Sequence, residues 1–275
     1  MTAANSVVLL GVPSDENSSF MRGPALAPAA IRKSLFNGAS GLTAECGTDL
    51  AGRSGFRDDG DLEIAPADDW LASIEQPVRQ RASRGVRPLL LGGDHAISYP
   101  ALRAIVAVHG AVEILHFDAH PDLYDEYEGN RYSHASPFAR VMEEGLATRL
   151  VQVGIRAQNA HLREQARRFG VESHVAAGFD AEGFAPMLRG PLYISIDLDA
   201  LDPAFAPGVS HHEPGGLSMR DVLTVLQKQR APVVGADIVE YNPRRDVHDM
   251  TAAVAAKLVK EIAALMLREG ERADG

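Results

Sequence analysis

Short apolar runs alternate with amphipathic stretches along the whole chain. The runs Ser6–Leu10, Arg87–Leu91, Glu113–Phe117, Arg149–Gly154, Leu192–Asp197 and Val233–Val239 are apolar throughout rather than alternating. That is the pattern of strands covered on both faces. Helical periodicity marks Pro24–Phe36, Asp68–Arg84, Ala96–His109, Pro137–Glu144, Asn159–Phe169, Met219–Gln229 and Met250–Arg268. Ser218, with Asp221 three residues on, resembles an acidic capping box that starts the Met219 helix. Pro24 behind Gly23 suits a first helical turn. The strand-then-helix rhythm predicts an α/β fold of three layers, with a mainly parallel central sheet between helices. The polar, Gly-rich stretch Gly38–Gly60 reads as a surface loop and Glu269–Gly275 as a frayed polar tail. With no repeat and no linker, residues 1–275 read as a single domain.

In such sheets ligands sit beyond the carboxyl ends of the strands, so the residues that leave each strand carry the chemistry. Leu91 is followed by Gly92-Gly93-Asp94-His95, whose double glycine permits a tight turn and brings backbone close to a ligand. Alone it reads as a capped strand-to-helix turn. Phe117 is followed by Asp118-Ala119-His120-Pro121-Asp122, which puts three potential ligands on one side of an extended segment. Two carboxylates and an imidazole so crowded would repel unless a cation sits among them, and the Asp/His mixture suits Mn²⁺, Zn²⁺ or Fe²⁺. Ile196 is followed by Asp197-Leu198-Asp199, a second carboxylate pair. Two converging strand ends would supply five or six ligands, too many for one tetrahedral zinc and suited to two metals that share carboxylates. Asp202, ahead of Pro203, reads as a turn residue. Glu240 ends the Val233–Val239 strand, and a surface ion pair is as good a reading of it as a functional one. His134, in a loop that leads into a helix, suits a proton shuttle. His116 reads as a satisfied core or edge histidine. His211 and His212 suit a pocket wall or a turn.

Charge narrows the partners. The chain has 37 Asp and Glu against 27 Lys and Arg, a net charge of −10, which argues against nucleic acid or an anionic membrane. No apolar stretch approaches the ~18 residues of a membrane span. The single cysteine, Cys46, excludes an intramolecular disulfide framework and fits a reducing compartment. With no basic n-region ahead of Val7–Leu10, the reading is cytoplasmic.

The segments LGGDHAIS (Leu91–Ser98), FDAHPD (Phe117–Asp122), SIDLDALDPAFAPG (Ser195–Gly208) and DIVEYNP (Asp237–Pro243), in this order, resemble the ureohydrolase family of arginases and agmatinases. The likeness runs from LLGVP and NSSFMRGPALAP to the Met250 helix. GNRYSHASPFARVME and APGVSHHEPGGLS are most similar to the plant-type arginases. The resemblance implies an arginase/deacetylase-like fold and a trimeric or hexameric assembly. It also implies two Mn²⁺ per chain, one held by His95, Asp118, Asp122 and Asp197, the other by Asp118, His120, Asp197 and Asp199. Water activated between the metals would attack a guanidino carbon while Asp122 aims it, Glu240 pairs with the guanidinium and His134 shuttles a proton to the departing amine. Asn130 and Ser133 fall where a substrate carboxylate would bind, and Arg131 would join them if it points inward.

The substrate implied is L-arginine, cleaved to L-ornithine and urea. Agmatine, cleaved to putrescine and urea, or another guanidino acid, is the alternative. A metal-dependent deacylase of related fold would lack His95 and Asp199 as ligands. A non-catalytic metal-binding protein would need neither His134 nor Glu240. A nucleotide-binding module is disfavoured because no phosphate loop follows any strand.

Overall fold

A computed structural model of the chain describes residues 6–51, 55–65, 69–184 and 186–268. Asp68 and the tail Glu269–Gly275 lie outside them. The strands are β1 (Ser6–Gly11), β2 (Phe56–Asp61), β3 (Val86–Leu91), β4 (Val112–Phe117), β5 (Ala147–Ile155), β6 (Glu172–Val175), β7 (Leu192–Asp197) and β8 (Val233–Val239). They form one sheet in the order β2-β1-β3-β8-β7-β4-β5-β6, and every pairing is parallel.

The helices are α1 (Ala27–Leu35), α2 (Trp70–Ala82), α3 (Ser98–His109), α4 (Pro137–Glu143), α5 (Ala160–Phe169), α6 (Met219–Lys228) and α7 (Met250–Arg268). The period of two along each strand sorts them into two layers. Leu9, Leu89, Leu115 and Ile194 pack toward α1, α6 and α7. Leu10, Leu90, Ile114 and Tyr193 pack toward α2, α3, α4 and α5. Both faces are covered, which is why the inner strands are continuously apolar.

Two edge strands depart from the sequence reading. β2 occupies the end of the stretch that reads as the Gly38–Gly60 loop and runs one residue past it, and β6 has no counterpart among the expected strands. An edge strand has one hydrogen-bonded neighbour and escapes the demand for apolar residues; charges on it also block pairing with another chain. β2 reads FRDDGD, and Asp58 and Asp59 pair with Arg32 of α1 and Arg81 of α2 at 2.8 and 3.0 Å. The capping box at α6 forms in both directions between Ser218 and Asp221.

Candidate metal centre and active site

The four central strands, β3, β8, β7 and β4, run parallel, so their carboxyl ends share one edge of the sheet. Each delivers one motif there. Phe117 of β4 is in register with Ile196 of β7, which sets Asp118 beside Asp197. Leu91 of β3 is in register with Ile238 of β8, two residues short of Glu240.

The turn after β3 is built on close backbone packing. A Cβ on Gly93 would stand 1.6 Å from the Ser14 carbonyl oxygen. The glycine therefore serves an approach to the loop after β1, where the sequence suggested an approach to a ligand. Asp94 caps the following turn through Ala96 N–H and accepts Asn17 N–H at 2.9 Å. Its carboxyl is pushed up to about 7 by burial and by the charge of Glu240.

Asp118 stands at the centre of the cluster, fully buried. His95 Nδ1 lies 3.2, 3.0 and 3.4 Å from carboxylate oxygens of Asp118, Asp122 and Asp197. On the other side His120 Nδ1 lies 3.4 Å from Asp118 and 3.0 Å from Asp199. The backbone aims these groups. Asp118 Oδ1 accepts His120 N–H at 2.6 Å, Asp197 Oδ1 accepts Asp199 N–H at 2.8 Å, and Asp199 Oδ1 accepts Ala119 N–H at 3.1 Å. All six ligands expected from the sequence therefore meet, with Asp118 between the two histidines.

The arrangement fits divalent cations. His95 Nε2 is 2.9 Å from Ser195 Oγ, which donates its only proton to Asp237 at 2.6 Å. Nε2–H is thus the donor to Ser195, and Nδ1 is the atom turned to the carboxylates. That buried nitrogen makes no hydrogen bond. Without a cation the cluster must hold protons. Burial opposes a charge on His95, yet Asp118, Asp122 and Asp197 lift it well above its ordinary value. Burial and the Asp199 charge likewise raise Asp197, and burial and the Asp118 charge raise Asp122. Divalent ions would replace those protons at a nitrogen-and-oxygen donor set suited to Mn²⁺ and its neighbours. Asp118, His120 and Asp199 form one group able to hold an ion, and Asp118 also belongs to a group with His95.

Beside this cluster opens a cavity of about 370 Å³ lined by Ser19, His120, Asp122, Tyr124, Tyr127, His134, Asn159, Asp197, Asp199, His211, Glu213 and Glu240 among others. His134 Nδ1 is 2.8 Å from Glu240 Oε1, which also accepts His95 N–H at 2.9 Å. Burial disfavours a charged His134, but the charge and hydrogen bond of Glu240, with Asp94 and Asp122, raise it to about 9. Glu240 Oε2 is buried without a partner. Glu240 and Asp122 both have left-handed backbone, φ 62° and 52°, a conformation uncommon in non-glycine residues and concentrated at functional sites.

Asn130 and Ser133 are not on the cavity wall. Asn130 Nδ2 donates to Asn17 Oδ1 at 3.1 Å, and Ser133 is buried, with its Oγ accepting Ala135 N–H at 3.3 Å. The expected substrate contacts at both positions are corrected: this turn holds the loop that covers His134. Arg131 points outward to Glu143. Ser19, which no motif singled out, donates N–H to His134 Nε2 at 3.2 Å and sets its Oγ 2.8 Å away. His211 lines the cavity, Asp202 accepts Ala204, Gly215 and Gly216 N–H as a turn residue, and His116 is buried against Asp118.

The model of the arginase family matches residues 5–265. The chain belongs to the arginase family. Arginase 1, mitochondrial, of Arabidopsis thaliana is 51% identical over 280 residues, covering 95% of this chain and 81% of that protein. The N(1)-aminopropylagmatine ureohydrolase of Thermus thermophilus is 37% identical, covering 90% and 86%. The solved arginase of Medicago truncatula superposes with a TM-score of 0.90 at 47% identity, covering 96% and 88%. The family makes this chain a ureohydrolase, an enzyme for guanidino substrates.

These relatives overturn the cytoplasmic expectation, since the two Arabidopsis arginases are named mitochondrial and chloroplastic/mitochondrial. Among the described residues no helix is long and apolar enough to cross a membrane.

Proposed function

We propose that the enzyme hydrolyses L-arginine to L-ornithine and urea, with two Mn²⁺ held by His95, Asp118, Asp122, Asp197, His120 and Asp199. The observation that carries this reading is Glu240, on the wall of a cavity that opens on the Asp118 cluster, whose Oε2 has no hydrogen-bond partner. When bound, the ions supply Lewis acidity and lower the pKa of water toward neutrality. Glu240 takes the guanidinium in a charge-assisted contact and sets its carbon within reach of attack. Asp122 accepts a hydrogen bond from the attacking water and so aims its oxygen. As the new C–O bond forms and the C–N bond to the ornithine side breaks, the leaving nitrogen needs a proton. Neutral His134 accepts Ser19 N–H at Nε2; in the cationic form that Glu240 stabilises, Nε2 carries a proton, turns it to Ser19 Oγ and gives it to the departing amine.

Agmatine is the second reading, and one observation favours it. The cavity wall includes Glu213 and no Lys or Arg among the described residues, so a cationic tail meets no repulsion and an α-carboxylate must bind neutral donors such as Asn159 and Tyr127. Comparing kcat/KM for urea release from the two compounds with Mn²⁺ loaded decides. An agmatine preference of about tenfold, 1.4 kcal/mol, defeats the arginine assignment. The trimer or hexamer implied by the family resemblance is read in the same preparations by light scattering.

A further inference from the structure

His116 lies in the middle of β4, fully buried, outside the cavity wall and outside the six proposed ligands. Its ring is nonetheless tied to the cluster. Nε2 is 2.8 Å from Asp118 Oδ2, and Nδ1 is 3.1 Å from the amide nitrogen of Gln152 in β5. The direction of these bonds can be worked out from the far end. The Pro121 carbonyl can only accept, and Gln152 Nε2 reaches it at 2.7 Å. That fixes the amide: its NH₂ faces Pro121 and His116, while its oxygen faces Ser173 Oγ in β6, which donates at 3.2 Å. An NH₂ group cannot accept, so His116 Nδ1 is bare and the ring proton sits on Nε2, aimed at Asp118. Phe138 lies against the imidazole, 4.1 Å between ring centroids, and holds it in this plane.

We propose that His116, oriented by Gln152, is a positioning residue for the metal centre: its Nε2–H fixes the carboxylate of Asp118. The inference rests on the metal reading above. Asp118 is the shared member of the cluster, and each of its oxygens now has one donor behind it, His120 N–H on Oδ1 and His116 Nε2–H on Oδ2. The remaining lone pair of each oxygen is left for a cation. Rotation of this one carboxylate would disturb both ion positions. His116 falls close enough to His95 and Asp118 to complete a group of three potential ligands, but its lone pair is spent on Gln152 and it offers a proton in that direction. The same amide ties down Pro121, the residue before Asp122, so Gln152 holds two of the proposed ligands through one side chain.

The test is Mn²⁺ binding, followed by electron paramagnetic resonance of the free ion, on the full-length wild type and on Gln152→Met, His116→Gln and Asp199→Ala. Wild type should take up two Mn²⁺ per chain and Asp199→Ala fewer. Gln152→Met fills the same space without donors and should bind at least about tenfold more weakly, in the range seen when outer partners of metal ligands are lost. Its circular dichroism should stay unchanged. His116→Gln keeps an N–H within reach of Asp118 and should recover most of that affinity. Failure of the wild type to bind two ions would overturn the metal reading and the proposal with it. Two tightly held ions in both wild type and Gln152→Met would overturn the positioning role alone. An affinity as weak in His116→Gln as in Gln152→Met would do the same, because a donor to Asp118 would then make no difference.

Discussion

Glu240→Gln removes a charge while keeping shape, and its consequences can be worked from the structure. The carboxylate is 4% exposed, and Oε1 accepts His95 N–H and His134 Nδ1–H. An amide oxygen in that place keeps both bonds, so the fold and the Asp118 cluster survive. The loss falls on Oε2. A hydrogen bond to a charged group contributes about 1.5–3 kcal/mol, and an amide NH₂ facing the guanidinium would add about 1–3 kcal/mol for donors left unpaired. A total of about 3 kcal/mol or more corresponds to at least a hundredfold drop in kcat/KM. A second effect follows from His134, which is raised to about 9 against its burial chiefly by Glu240. A proton donor fails as pH rises through its pKa, so the alkaline limb of the wild type lies near 9. In the variant burial gains weight, and the limb moves toward neutrality. Urea release across the neutral to alkaline range measures both, with metal content checked by mass spectrometry. A variant within about tenfold of wild type, or one whose alkaline limb stays in place, would refute the role given to Glu240.

The metal-free protein should lose stability as pH rises. Asp94, normally near 3.8, is raised to about 7, and His134, normally near 6.5, to about 9; each binds its proton more tightly folded, so its contribution is full below the lower value and gone above the higher. Metal binding needs deprotonated ligands, so melting temperatures with Mn²⁺ and with a chelator should diverge as pH climbs from about 6 to 9, and parallel curves would contradict the cation assignment. Gly93→Ala puts a methyl group into the Ser14 backbone and should abolish soluble expression or lower the melting temperature by more than 5 °C, roughly the effect of a 2 kcal/mol loss. Ser218→Ala removes half of the α6 capping box, about 1 kcal/mol, and should lower the melting temperature by about 2–4 °C without altering kcat/KM.

What was legible in the sequence follows from how many constraints act on each residue. The inner strands are pressed from both sides, so β1, β3, β4, β5, β7 and β8 announce themselves as apolar runs. β2 and β6 answer to one neighbour each, and their charged residues conceal them. At the site, the cluster was readable because Asp118, His120 and Asp122 on one strand end, and Asp197 and Asp199 on another, crowd like charges that call for a cation. Asp94 had only a capping signature. Gln152 carried no signature, and Ser19 and Ser195, though they stand in quoted segments, pointed to no role, since a lone serine or glutamine becomes informative only when a fold brings it to a particular imidazole. Asn130 and Ser133 mark the opposite error. Polar residues near a site in sequence were read as facing it, and the turn directs them to Asn17 and Ala135 instead.

The cluster is costly by itself, and the surrounding protein shows how that cost is contained. Several carboxylates and two imidazoles are withdrawn from water at the end of a parallel sheet, and two of the residues that serve them, Asp122 and Glu240, carry left-handed backbone. Desolvated groups of this kind shift their proton affinities unless they are paired. Here the pairing is done from behind. Asp237 accepts the hydroxyls of Ser98, Tyr193 and Ser195 at 2.6–2.7 Å, and through Ser195 it directs the bare nitrogen of His95 inward. Gln152 does the corresponding service for Asp118 through His116. The polar atoms behind the site are thus satisfied by the protein, while His95 Nδ1 and Glu240 Oε2 are not. Those two atoms mark what must arrive from solution: positive charge at the cluster, and a positively charged group beside it.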